Sequence, residues 1–186
     1  MTTKSPQHCK AVIDANVLAP VIRRTVIRAL AGEKLFLPVI SDRILTETAH
    51  AMGHIARNVT DRDKSDLSIL RAEWTNGWVQ PDGAEISLPD PDDIHVVEAA
   101  LTAGADVIVT ENIRDFPKKA LAPMGLRAET ADQFVFGLLQ HEPERTLSAI
   151  STLPARLPDI FEEQDLRTVL RRAGFRRLTK AMPADI

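Results

Sequence analysis

Four acidic side chains are placed where metal-assisted chemistry would need them. Asp14 closes the apolar run "AVID", and Glu47 falls about a turn and a half into a helical pattern. Asp93 stands at or near the start of another helix, and Asp115 lies five residues beyond the apolar run "DVIVT". Carboxylates gathered within a few ångströms repel one another by about 4 kcal/mol per close pair at an effective dielectric near 20, so such a cluster calls for cations. Hard oxygen donors select Mg²⁺ or Mn²⁺ over softer metals. The chemistry this suits is phosphodiester hydrolysis, in which one ion generates a hydroxide and a second, about 4 Å away, stabilises the leaving oxygen.

Each acid alone has an ordinary reading. Asp92 and Asp93 can cap a helix, Glu47 can be a solvated helix residue, and Asp115 can be a turn acid between Arg114 and Lys118. The joint pattern raises them above this, because acids follow successive elements in the order that a shared crevice at the strand ends would require.

The elements that must position them alternate in type. "AVID" reads as a buried strand, and "VIRRTVIRALAG" as a helix closed by Gly32. "LFLPVI" reads as a second strand in which Pro38, lacking a ladder donor, favours a strand end or an edge-like position. Ser41 is an N-cap for the helix "DRILTETAHAMGHIAR", and "DRDKSDLSILRAEWTNGW" reads as another helix with Leu67, Leu70 and Trp74 on one face. "VQPDGAEISLPDPDD" is loop with room for a short strand, followed by the helix "DDIHVVEAALTAG", the strand "DVIVT", the turn "ENIRDFP", a short strand in "GLRAET" and the helix "ADQFVFGLLQHE". Strands alternating with helices predict an α/β fold with a mostly parallel sheet covered on both sides. After about residue 142 the chain turns proline-containing and helical, too short for an independent domain and better suited to packing on the core or on a partner.

Composition sets bounds. With 186 residues, 44% hydrophobic and 26% charged, the chain can bury roughly 70% of its unfolded surface in one compact domain. The net charge of -3 gives no global attraction for nucleic acid, so polyanion contact must come from a local patch or from metal ions. Arg167, Arg171, Arg172, Arg176, Arg177 and Lys180 form such a local run with no acid among them; they could hold RNA phosphates or meet an acidic partner, or be balanced by "FEEQD" just upstream. The single Cys9 cannot form an internal disulfide. No apolar run approaches the length of a signal-peptide core or a membrane span, so a soluble, cytoplasmic protein without membrane contact is expected.

The segments "VIDANVL", "SDRILTETAHAM", "PDPDDIHVVEAALTAGADVIVTENIRDFP" and "LRAETADQFV" together resemble PIN-domain proteins, in particular the VapC-like toxin ribonucleases of bacterial toxin–antitoxin pairs, over residues 10 to 140. The long central segment is the most specific, since its acid, its small-residue helix and its "VTxNxxDFP" turn occur together at the family's spacing. The resemblance implies a PIN-like three-layer sandwich of about five strands, with a nuclease domain over residues 1–141 and a helical extension over 142–186. It implies a Mg²⁺- or Mn²⁺-dependent endoribonuclease with Asp14, Glu47, Asp93 and Asp115 as the acidic quartet. Asp93 is preferred to Asp90 and Asp92 because it stands eleven residues before Gly104, at the family spacing. Asn16, Thr110 and Asn112 match the supporting polar positions, with Asn112 and Asp115 sharing the fourth site. It further implies an RNA substrate, a cognate antitoxin and a homodimer; the alternatives are a non-toxin RNA-processing nuclease or a catalytically inactive binding module.

Two other chemistries fit less well. His50 and His54 follow Glu47 at positions that could share a face, but the HExxH order of a zinc site is absent. His95 reads as packed or solvent-facing. A dehalogenase-type phosphatase needs a second acid two residues after the first, and that position is Asn16. Trp74, Trp78, Phe134 and Phe136 suit a core or an interface better than base stacking in a chain with 4% aromatic residues.

Overall fold

The computed structural model describes residues 9–56, 61–81, 83 and 86–184, the side chains at 54–56 and 61–64 excepted. The side chain of His54 and residues 82, 84 and 85 of the anticipated loop strand therefore lie outside the described residues. Strand β1 (Lys10–Ile13) has Ala11, Val12 and Ile13 wholly buried, as expected of a strand covered on both faces. It leads into the one-turn helix α1 (Ala15–Leu18) and then α2 (Val21–Gly32). Strand β2 (Leu37–Ser41) follows, with Pro38 as its second residue, and Ser41 Oγ accepts from Ile44 N at 3.3 Å to cap α3 (Asp42–Ala56).

After α4 (Asp61–Glu73) a 3-10 turn feeds a two-residue strand, β3 (Trp78–Val79). This strand takes Trp78 out of the helix that the sequence suggests there, because pairing of Trp78 with Ile40 and Val79 with Ser41 supersedes local propensity. Residues 86–88 are irregular. Helix α5 (Ile94–Ala103) stops at Gly104, which takes the left-handed conformation at φ 60°. Then come β4 (Val107–Val109), α6 (Lys118–Leu121), β5 (Arg127–Glu129) and α7 (Ala131–His141), the last opened by a reciprocal Thr130–Gln133 capping box.

The sheet runs β3-β2-β1-β4-β5 with every neighbour parallel. Helices α2, α3 and α4 connect strands as the chain steps outward to β3, and α5 and α6 as it returns to β4 and β5, so the right-handed rule for such crossovers assigns the two sets to opposite faces. Helix α5 packs across β1, β2 and β4. This is the expected three-layer α/β sandwich. The direction of travel reverses between β1 and β4, and in open parallel sheets the crevice beyond the carboxyl ends at that switch is where ligands bind.

The remaining chain is helical: α8 (Pro143–Ser151), α9 (Leu153–Arg156), α10 (Pro158–Phe161), α11 (Leu166–Arg172) and α12 (Arg176–Ala181). Helix α8 packs on α2 and α7, and α12 packs on α7. Ile150, Leu153, Leu170, Phe175, Leu178 and Met182 join the same hydrophobic cluster as β1 and α2. Each such side chain contributes roughly 1.5–3 kcal/mol relative to exposure. No helix among the described residues is long and apolar enough to cross a membrane.

Candidate active site at the switch of the sheet

The backbone N–H of Asp14 continues the ladder by donating to Val109 O at 3.0 Å, so its side chain emerges at the carboxyl ends of β1 and β4 together. Asp14 is only 4% exposed and is the N-cap of α1, its Oδ1 accepting from Ala15 N at 2.6 Å. Its Oδ2 accepts from Asn16 Nδ2 at 2.7 Å and from the Thr110 hydroxyl at 2.6 Å. Burial raises the Asp14 carboxyl above its ordinary value, a shift opposed by the Thr110 and Ala15 hydrogen bonds, reinforced by nearby Glu47 and opposed by His95.

Thr110, fully buried just after β4, spends its single hydroxyl proton on Asp14. Its oxygen accepts from Asn16 Nδ2 and from Asn112 N, both at 3.0 Å, which uses the full capacity of a hydroxyl. The Asn16 amide is oriented by the same network, since Oδ1 accepts from Glu111 N at 3.0 Å while Nδ2 faces the acceptors. Beyond Thr110 the chain turns, with Asp115 N donating to Asn112 O at 3.1 Å and the buried Phe116 anchoring the turn. Asn112 Nδ2 donates to Asp115 Oδ2, so the two residues that compete for the fourth site are partners.

Glu47 approaches from α3. Its Oε1 accepts from Arg43 Nε at 3.1 Å, and its Oε2 lies 3.0 Å from Nε2 of His95, an ion pair when the ring carries both protons. That contact has ion-pair distance without hydrogen-bond alignment, since Nε2 lacks a directed partner. His95 is buried, and its Nδ1 is fixed 2.7 Å from Asp92 O, where it donates. Arg43 also donates to Asp92 O at 3.1 Å, tying α3 to the turn that carries Asp93. His95 and Arg43 are the site residues that sequence reasoning missed. For Arg43 the i,i+4 spacing to Glu47 was a readable signal; for His95 there was none, because its partner is distant in the chain.

Among the three consecutive choices of acid, the side chains separate clearly. Asp90 caps the short turn by accepting from Asp92 N at 2.9 Å, and the Asp92 side chain is 95% exposed. Asp93 turns inward, and its Oδ2 is buried with no hydrogen-bond partner among the described residues. Its carboxyl is pushed up to about 6, first by burial and then by the charges of Asp14, Asp90, Asp115 and Glu47. Asp14, Glu47 and Asp115 thus lie near enough for their charges to act on Asp93, and Glu47 near enough to act on Asp14. As placed, no three acidic, histidine or cysteine side chains among the described residues are gathered tightly enough to hold an ion. Glu47 is drawn to Arg43 and His95, and Asp115 to Asn112, which accounts for the open arrangement. The donor set nevertheless fits a hard divalent cation: it is carboxylate oxygen throughout, with one buried oxygen left without a partner.

His50 is exposed and no zinc cluster forms among the described residues, while Trp74 and Phe134 are buried in the core and Trp78 and Phe136 are half-buried. No curated protein and no solved structure matches the chain in comparison searches. Among protein-family models, that of the PIN domain matches residues 10–114, more than half of the chain and the span that carries Asp14, Glu47 and Asp93, with Asp115 one residue beyond it. On that match, the chain belongs to the PIN-domain family, and PIN domains form a nuclease superfamily whose members generally use divalent metals.

Proposed function

We propose that the protein is a Mg²⁺- or Mn²⁺-dependent endoribonuclease, with Asp14, Glu47, Asp93 and Asp115 as the residues that would hold the metal. The observation that carries this reading is the unpartnered, buried Oδ2 of Asp93 facing other acids. An anionic oxygen left in that setting costs free energy unless a cation compensates it. The bound ion supplies acidified water and charge stabilisation at the scissile phosphate. The chain's own groups prepare the site: Thr110 and Asn16 fix the Asp14 carboxylate, Arg43 and His95 hold Glu47, and Asn112 holds Asp115. Such supporting hydrogen bonds set ligand orientation.

The direct test is cleavage of a structured RNA by the purified protein. Asp14→Asn should abolish cleavage with an unchanged circular dichroism spectrum, and EDTA should silence the wild type. Full activity in either case overturns the reading.

The proposal extends to the toxin role of a type II toxin–antitoxin pair, to a cytoplasmic location, to a cognate antitoxin partner and to a homodimer, all of which rest on the family resemblance. Growth arrest on expression, relieved by an antitoxin encoded beside it, would be the expected outcome. Growth unaffected by active enzyme would favour RNA processing instead. A single monomeric species in light scattering at micromolar concentration would remove the dimer.

A further inference from the structure

The run from Arg167 to Lys180 carries six cations and no acid in a chain whose net charge is -3. In the structure it is a helical hairpin, α11 and α12 joined through Gly174 at φ 102°. The hairpin is anchored: Val169, Leu170, Phe175 and Leu178 are buried, and Arg167 donates to the carbonyls of Thr179, Met182 and Pro183. Its outer side is an open concavity of about 610 Å³ lined by Arg167, Arg171, Arg172, Arg176, Thr179 and Lys180.

The plain alternative, a solvated face neutralised by the acids just upstream, does not match what those acids do. Asp165 caps α11 by accepting from Thr168 N at 2.8 Å, and Arg172 donates to the neutral Gln164 at 2.6 Å. Among the described residues, Arg171, Arg172, Arg176, Arg177 and Lys180 make no ion pair with an acidic side chain. Among the described residues, their positive field is not neutralised by a direct ion pair and is open to an external polyanion.

The hairpin is also fastened to the end of the sheet where the acids lie. Both carboxylate oxygens of Asp132, in the first turn of α7, accept from Arg177 N at 2.9 and 3.1 Å, and Oδ1 accepts from Leu178 N as well. Glu111, next to Thr110, accepts from Ala131 N at 3.1 Å and lies 3.6 Å from Arg23, whose Nε donates to Ala173 O at the hairpin's turn. The basic surface is thus held in fixed relation to the Asp14–Thr110 pair.

From this geometry we infer that the α11–α12 hairpin is a second substrate contact, which grips the phosphodiester backbone of single-stranded RNA away from the scissile bond. The inference rests on the nuclease reading above. The lining chooses RNA over an acidic protein because it presents no apolar side chain from which a protein interface could build its dry centre. Nucleic-acid interfaces are polar, wet and positive, and guanidinium forks match phosphate oxygens two at a time.

The test is fluorescence anisotropy of a single-stranded RNA oligonucleotide with the full-length protein in EDTA, where no cleavage can intervene. The triple variant Arg171→Gln/Arg176→Gln/Lys180→Gln alters exposed side chains only. It should weaken binding about tenfold or more and flatten the slope of log K against log salt by about 2, at roughly 0.7 per lost phosphate contact on a single strand. Lysine in place of Arg171 and Arg176 should retain the slope. Unchanged affinity and slope in a triple variant with a wild-type melting temperature overturns the inference. So does tighter retention of poly-glutamate than of RNA, which would assign the surface to an acidic protein. Failure of the nuclease reading is separately visible, as RNA left intact by the wild type when Mn²⁺ replaces EDTA.

Discussion

Thr110 donates its only hydroxyl proton to Asp14 across 2.6 Å, joining the end of β4 to the end of β1 at the point where the sheet reverses its direction of travel. Thr110→Val keeps the shape and removes the donor, leaving Asn112 N without its hydroxyl acceptor and Asn16 Nδ2 with Asp14 alone. Loss of supporting hydrogen bonds of this kind costs about 10–100-fold in metal affinity or activity. We expect kcat/KM for RNA cleavage to fall by about that factor. Cleavage indistinguishable from wild type would show that Asp14 does not depend on this bond.

The raised Asp93 carboxyl gives the metal-free protein a characteristic pH response. The folded state holds this proton up to about pH 6, whereas the unfolded chain releases it near 3.8. Between those values the folded state binds more protons, so the contribution is fully present below the lower value and is lost as pH rises through about 6. The raised Asp14 adds in the same direction. Mn²⁺ requires the ionised carboxylates and should reverse the loss. We expect thermal melts to show little Mn²⁺ stabilisation at pH 5 and a clear rise in Tm at pH 7.5, with Asp93→Asn removing most of the difference. Equal Mn²⁺ stabilisation at both pH values would contradict the assignment.

What the sequence made legible were features encoded locally. β1 and β4 are uninterrupted apolar runs, and α5 ends at a glycine that adopts the left-handed conformation. Asp14 could be singled out because strand ends in a parallel sheet converge, whereas Asn16 and Thr110 stood out only through the resemblance to PIN-domain proteins. The two-residue β3 was not legible: it exists through pairing with Ile40 and Ser41, and two residues carry no periodicity. Nor was His95, which meets Glu47 from 48 positions away; a lone histidine reads equally well as packing. The acids of "FEEQD" were an expected counterweight to the arginines, and only the folded geometry shows Asp165 occupied with a helix cap.

Arg24 is the largest buried charged group, 1% exposed, and its position supports the site from below. Its NH1 donates to Leu18 O and Ala19 O at 2.8 and 2.9 Å, closing the carboxyl end of the same one-turn helix that Asp14 begins. NH2 and Nε meet Asp66 Oδ2 at 3.0 and 3.3 Å. Removing one member of a buried pair strands the other charge, so Asp66→Ala should cost about 3–5 kcal/mol. For a chain of this length that lowers Tm by roughly 10 °C. Arg24→Met combined with Asp66→Leu should recover much of the stability, because burial without charge carries no such penalty. A double variant no more stable than Asp66→Ala would mean that Arg24 is held mainly by the two carbonyls.

Among the glycines whose surroundings are described, Gly77 leaves the least room: a methyl group there would lie 1.7 Å from the Pro38 carbonyl oxygen and 2.8 Å from its carbonyl carbon. The contact falls where the 3-10 turn before β3 meets the start of β2, a spot that Pro38, with no N–H to lose, can occupy without an unpaired donor. Both neighbours are main chain and cannot swing aside, so Gly77→Ala must displace β3 from Ile40 and Ser41. Forced overpacking costs about 1–3 kcal/mol, which predicts a Tm lowered by roughly 2–12 °C. Ser41 caps the helix that carries Glu47, so RNA cleavage should fall as well. Gly32→Ala is the matched control, because a methyl group at that position meets nothing within 4 Å. In the last turn of α2 it should be neutral or stabilising by up to about 1 kcal/mol. Equal melting temperatures for the two variants would show that β3 yields freely and that its pairing with β2 adds little to the fold.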